Sequence, residues 1–154
     1  MTTIETPVLI VGGGAGLKAS MLLSKLGIES LLVSALPSTS ILPKAHVLNQ
    51  RAMKMLTVFG VANEIYARGT PAENMRDSDW ASASPCRQAN LPQIQLEPIR
   101  KRGAEVLAPG PVRFHHELVD LEQDAAGVTT TVLTALDATG HAAIDPTNAA
   151  ALFP

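Results

Sequence analysis

A single cysteine, Cys86, means the chain cannot close a disulfide on itself, and it fits a reducing compartment. Aromatic residues make up only 3% of the chain, so any core must be built from Leu, Val, Ile, Ala and Met. There is no basic excess. A formal net charge of −2 argues against nucleic acid or an anionic membrane as the main partner. No Lys or Arg follows Arg113. The four histidines, His46, His115, His116 and His141, make no metal-ligand spacing with Cys86, so no metal site is expected. His115-His116 reads as a pair alternating across a strand. The N-terminal apolar run is too short for a membrane span or signal peptide, and no basic segment precedes it. The expectation is a soluble, cytoplasmic protein.

What is present is more pointed. The 154 residues suit one domain. Val8-Leu9-Ile10-Val11 is a short apolar run ending in Gly12-Gly13-Gly14. A helical pattern follows, then Gly27, then a second apolar run, Leu31-Leu32-Val33. Strand, glycine turn, helix and strand in this span make one βαβ unit. Such a unit holds a dinucleotide pyrophosphate at its helix N-terminus, where backbone N–H groups are unpaired and the dipole favours negative charge.

The fingerprint is G-x-G-x-x-G. Gly12 and Gly14 take its first two places, but position 17 is Leu and the last glycine, Gly16, comes one residue early. Losing one residue turns the helix by roughly 100° relative to the glycines. Either the helix starts later or the phosphate cradle is distorted. The acidic residue that usually meets the ribose is replaced by Ser34 at the end of the second strand, with Glu29 too far back to substitute.

Along the first helix, about residues 15–26, Ala15, Ala19, Leu22, Leu23 and Leu26 define one apolar face. The expected core is a three-layer α/β arrangement. Its central strand is 7–11, paired in parallel with 30–34. Residues 49–59 read as a helix with Met53, Leu56 and Phe59 inward, and 61–67 as a short helix. Met53 and Met55 read as packing. Residues 69–92 are rich in Pro and small polar side chains, a loop or a join. Residues 93–107 read as a helix with Ile94, Ile99 and Val106 inward despite Pro98, and Arg100-Lys101-Arg102 as its solvated face. Residues 112–122 and 128–136 make a β-hairpin about a turn at 124–127. Glu117, Asp120, Glu122 and Asp124 line its solvent side.

Four segments resemble the FAD-dependent aromatic hydroxylases of the phenol and chlorophenol monooxygenase type. They are TPVLIVGGGAGLKASMLLSKLG, LPKAHVLNQRAMKMLTVFGV, SPCRQANLPQIQLEPI and VRFHHELVDLEQDAAGVT. Their order and spacing match the N-terminal FAD-binding region of that family over about 130 residues. The resemblance implies a Rossmann-like FAD-binding domain with an appended hairpin over 1–136, followed by an irregular tail over 137–154.

The resemblance also implies a cofactor set. The glycine loop, Gly12, Gly13, Gly14, Ala15 and Gly16, would hold the FAD pyrophosphate, with Ser34 at the ribose position. Lys44 stands where the family has an Arg, supplying charge without a bidentate fork. Gln50 and Arg51 fall near the flavin side, and Gln93 matches a glutamine that contacts FAD. Without the family, Gln93 is simply a residue at a helix start.

The family implies NAD(P)H, O₂ and a phenolic substrate. It also places about thirty more residues before the SPC segment and later Asp-Gly and Gly-Asp motifs. This sequence has neither dipeptide. It therefore reads as a truncated and internally shortened member: a fragment, a degenerate product or a frame-shifted tail. No catalytic residue is assigned, because Ser34, Ser38 and Ser40 have no His–Asp partners at a recognisable spacing. Two readings stay open: a flavin monooxygenase, alone or within an assembly, and a non-catalytic nucleotide-binding or interaction remnant that self-associates as a homo-oligomer.

Overall fold

The computed structural model describes residues 2–70, 84–108, 111–134 and 149–153. The chain divides into two compact units, one of residues 1–39 and 104–154, the other of residues 40–103.

The first unit is built on the βαβ segment. Strand β1 is Thr2–Glu5, β2 is Leu9–Val11, helix α1 is Gly13–Lys25 and β3 is Leu31–Ser34. β2 and β3 pair in parallel, Leu9 opposite Leu31 and Val11 opposite Val33, as a crossover helix requires. The sheet continues through β6, Val112–Phe114, in the order β2-β3-β6. The central strand is therefore β3, not the 7–11 strand expected. Its four residues are all buried, which is why it reads as an unbroken apolar run.

A second sheet, in the order β1-β9-β8-β7, contains β7 His116–Gln123, β8 Val128–Thr134 and β9 Ala149–Phe153. Asp124 shapes the hairpin turn between β7 and β8, its side chain accepting from the N–H groups of Ala126 and Gly127. Asp120, Glu122 and Asp124 are exposed, as expected of the hairpin's solvent side, and Glu117 is half-buried. The expected strand 112–122 is interrupted at His115. This residue takes φ 57° and hands the chain from the parallel sheet to the mixed one. Residues 137–148 lie outside the described residues. Ala149–Phe153 form a strand rather than an irregular tail, paired in parallel with β1 and antiparallel with β8.

Side chains on alternate faces of β3 make the layers. Leu31 and Val33 pack with Val132, Ile4, Leu9 and Leu118. Leu32 and Ser34 face α1, near Gly16 and Gly13 respectively.

The buried face of α1 differs from the expected one. Gly13, Gly16, Leu17, Ser20 and Met21 are buried, whereas Ala19 and Leu22 are exposed and Leu26 is 64% exposed. The reason is Gly16. A Cβ there would lie 2.8 Å from Ile10 Cγ2 and 3.1 Å from Leu32 Cδ1. The helix seats its smallest residues against the strands, and that choice fixes its rotation. It ends in a Schellman turn. Gly27 adopts φ 72°, its N–H bonds Ser24 O, and Ile28 N–H bonds Leu23 O, satisfying orphan carbonyls.

In the second unit, β4 Val47–Leu48 pairs antiparallel with β5 Ala89–Asn90. Helix α2 is Gln50–Val58 and α3 is Ala62–Arg68. Asn49 caps α2, its Oδ1 accepting from Ala52 N–H at 2.8 Å. Met53, Leu56 and Phe59 are buried as expected, while Met55 is exposed. The segment expected to be loop or join lies mostly outside the described residues, at 71–83.

Helix α4, Gln93–Leu107, runs through Pro98, and the boundary between the units falls within it, after Gly103. Its inward residues are Leu96, Glu97, Ile99, Arg100 and Ala104. Ile94 is exposed and Val106 is 79% exposed, against expectation. The expected solvated cluster also splits, because Arg100 is only 7% exposed.

Candidate functional site

The glycine loop lies wholly in the first unit. Gly12 makes the turn from β2 into α1 at φ 103°, which only glycine adopts without strain. Its own N–H donates to Val33 O at 2.8 Å. The helix does not start late: its first residue is Gly13. The first-turn N–H groups of α1 have no intrahelical acceptors. No side chain caps them, and the first turn carries no acidic residue. A Cβ on Gly12 would meet nothing within 4 Å, whereas one on Gly13 would lie 3.1 Å from the Phe114 ring and 3.5 Å from Ser34 Oγ. The loop is thus open at Gly12 and closed at Gly13.

The one-residue shortening is resolved by the position of Gly16. It performs the close helix–strand packing that the fingerprint gives its third glycine, so the helix keeps its seat. Counting back from Gly16, the first fingerprint place falls on Val11. That residue still belongs to β2 and is 55% exposed. The missing residue is therefore felt at the turn, ahead of the helix. Ser34 is buried, with its hydroxyl beside Gly13.

The other candidates lie in the second unit. Two sequence segments far apart in number meet there. Gln93 N–H donates to Ala45 O at 3.0 Å, and Leu91 N–H donates to His46 O at 2.7 Å. The stretch carrying Lys44 is thereby tied to the start of α4. Lys44 and Arg51 are exposed, and Gln50, half-buried, opens α2.

Gln93 is the first residue of α4, and its side-chain amide donates to Glu97 Oε1. Glu97 is 3% exposed, and its Oε2 accepts from Ser40 N–H at 2.6 Å. Arg100, one turn on, has its Nε buried without a partner. Burial lowers its pKa from the usual arginine value, opposed by the charge of Glu97. Sequence reasoning missed Glu97, Ser40 and the Phe114 ring. The i, i+4 spacing of Gln93 and Glu97 was the readable signal.

The FAD binding domain family model matches residues 5–145. The chain belongs to this FAD-binding family. Among its curated relatives, the 2,4-dichlorophenol 6-monooxygenase of Delftia acidovorans is 38% identical over 162 aligned positions, covering 85% of this chain and 27% of that protein. The phenol 2-monooxygenase of Pseudomonas sp. (strain EST1001) is 32% identical, covering 86% of this chain and 26% of that protein. Among solved structures, the flavin-dependent monooxygenase PieE, in complex with FAD and substrate, superposes with a TM-score of 0.83 at 32% identity, over 99% of this chain and 30% of that one. The aklavinone-11 hydroxylase complex with FAD and aklavinone gives 0.70 at 32% identity, over 87% of this chain and 30% of that one.

The FAD-binding chain thus spans about a quarter to a third of the length of these relatives. It corresponds to the FAD-binding part of those longer proteins. Among the described residues no helix is long and apolar enough to cross a membrane, and no three His, Cys, Asp or Glu side chains gather as metal ligands.

Proposed function

We propose that this chain binds FAD as the cofactor-holding part of a monooxygenase acting on phenolic or other aromatic rings. The observation that carries the reading is the junction of β2 and α1: an uncapped helix N-terminus, open at Gly12 and seated by Gly16. A pyrophosphate suits that end, because its unpaired N–H groups and the helix dipole both favour an anion. Gly12, Gly13, Gly14, Ala15 and Gly16 would hold it, with Ser34 at the ribose. Lys44, Gln50, Arg51 and Gln93 make up the second group of contacts. Bound FAD supplies the redox chemistry, with NAD(P)H as the electron source and O₂ as the oxygen source.

We extend the partial FAD-binding domain beyond the expected 1–136, since Ala149–Phe153 pairs with β1 and β8, and keep the join inside 69–92. The alignment with the dichlorophenol enzyme supports it. Its 162 positions cover only 85% of 154 residues, so roughly thirty positions have no counterpart here. Cys86 as a lone thiol supports a cytoplasmic setting.

A titration of the purified chain with FAD, read by quenching of flavin fluorescence, tests the proposal. Saturable binding is expected, weakened by Gly12→Val. No saturation at any accessible concentration refutes it.

One observation favours the second reading, a non-catalytic interaction remnant. Strand β2 ends its sheet among the described residues, and Pro7, Val8, Leu9, Val11, Leu121 and Val128 line a hollow beside it. An exposed apolar edge pairs readily with another copy. A colourless protein whose sedimentation shifts with concentration would support this reading.

A further inference from the structure

We propose that Glu97 is a positioning residue for the flavin site, fixing the side-chain amide of Gln93 in one orientation. This rests on the reading that Gln93 contacts FAD. Both oxygens of Glu97 accept hydrogen bonds, Oε1 from the Gln93 amide and Oε2 from Ser40 N–H. Carboxylate oxygens facing two donors act only as acceptors, so the NH₂ end of Gln93 must be the end that meets Glu97. The carbonyl oxygen of Gln93 is left as an acceptor, held in place from one helical turn away. The ligand group it would take is a donor: a ring N–H or a sugar-chain hydroxyl of the cofactor.

Glu97 also ties down the backbone at Ser40, ahead of the segment whose Ala45 carbonyl receives the Gln93 N–H. One buried carboxylate therefore holds both the side chain and the approach to it. A partner that only filled space would not need a second acceptor aimed at a remote backbone N–H. The isosteric change Glu97→Gln is informative because a Gln side chain must turn its NH₂ toward one of the two donors. It keeps one bond and loses the other.

The test is a double-mutant cycle in the full chain with Glu97→Gln and Gln93→Ala, using FAD as the probe. Glu97→Gln should weaken FAD binding about three- to tenfold, the factor for one hydrogen bond. In the Gln93→Ala background the same change should alter affinity by less than about twofold, since coupled residues are non-additive. A ligand-free readout accompanies it: the Gln93 side-chain amide protons in a ¹H–¹⁵N spectrum should shift on Glu97→Gln. Equal weakening in both backgrounds, or unmoved Gln93 amide protons, overturns the assignment. If the unmutated chain binds no FAD, the proposed function itself fails, and the amide spectrum still reports separately on the link between Glu97 and Gln93.

Discussion

Replacing Gly16 by Ala tests how the glycine loop is seated. In the middle of an ordinary helix Gly→Ala stabilises by about 1 kcal/mol, through backbone entropy and helix propensity. Here the new Cβ would lie 2.8 Å from Ile10 Cγ2 and 3.1 Å from Leu32 Cδ1, against ordinary carbon contacts of about 3.5–4.0 Å. The Ile10 methyl is bonded directly to Cβ, so it yields only by leaving its rotamer, at about 0.5–1.5 kcal/mol. Leu32 is wholly buried and has little room to retreat. Overpacking of this kind costs about 1–3 kcal/mol. The net is a loss of up to about 2 kcal/mol, opposite in sign to the helix-propensity gain. Backbone exchange at Leu31–Ser34 reads the first unit by itself, and should speed up by as much as about thirtyfold. In an Ile10→Ala background the penalty should shrink or reverse, because the closest clash is gone. A Gly16→Ala variant with slower exchange would refute the packing of α1 on β2 and β3, and with it the identity of Gly16 as the third fingerprint glycine.

Inserting one residue between Gly14 and Ala15 moves the first fingerprint place from Val11 onto Gly12, and should tighten FAD binding in the same fluorescence titration; equal or weaker binding would show that the short loop is not the defect. Tyr66, the only tyrosine, has its pKa raised above 10.0, chiefly by burial and then by Cys86, against Arg87 and its hydrogen bond to the Arg87 carbonyl. Its phenolate absorbance should therefore titrate above the denatured chain's. The folded state holds this proton more tightly, so the contribution to stability is complete below the unfolded pKa and is lost as pH rises through the folded one. A folded midpoint at or below the denatured one would contradict this. Supplied with FAD, NADPH and a phenol, the 154 residues should oxidise NADPH slowly and release hydrogen peroxide without hydroxylating the ring, since hydroxylation needs a water-excluding site. Hydroxylated product above a free-flavin control would overturn that expectation.

The βαβ unit was legible because each of its signals is local: a four-residue apolar run, three glycines, a helical period and a second apolar run. Strand order was not, because it is set by β6 pairing with β3 across about eighty residues, Val112 opposite Leu32. The face of α1 was misread for a related reason. Periodicity weighs Leu22, Leu23 and Leu26 heavily, but the contact is made by Gly13, Gly16 and Leu17, and close approach favours the smallest residues rather than the most apolar. In α4 the Arg100-Lys101-Arg102 cluster was expected to face solvent, yet Arg100 is buried, as is Glu97, whose charge opposes the effect of burial on Arg100.

The same distinction separates what spacing reveals about the site from what it hides. Glycine count and order pointed to the turn between β2 and α1, since those residues matter through what they lack, and absence of a side chain is visible in a sequence. Gln93 was visible only through resemblance, because a lone glutamine at a helix start has many uses. What sets it apart in the fold is Glu97, whose two oxygens reach Gln93 in the same helix and Ser40 fifty-seven residues away. The i, i+4 half of that arrangement is written in the sequence. The half that commits the carboxylate to an inward, shared role is a backbone N–H, and every residue except proline carries one. No pattern of residue types marks the one that will be used, so the fold had to supply it.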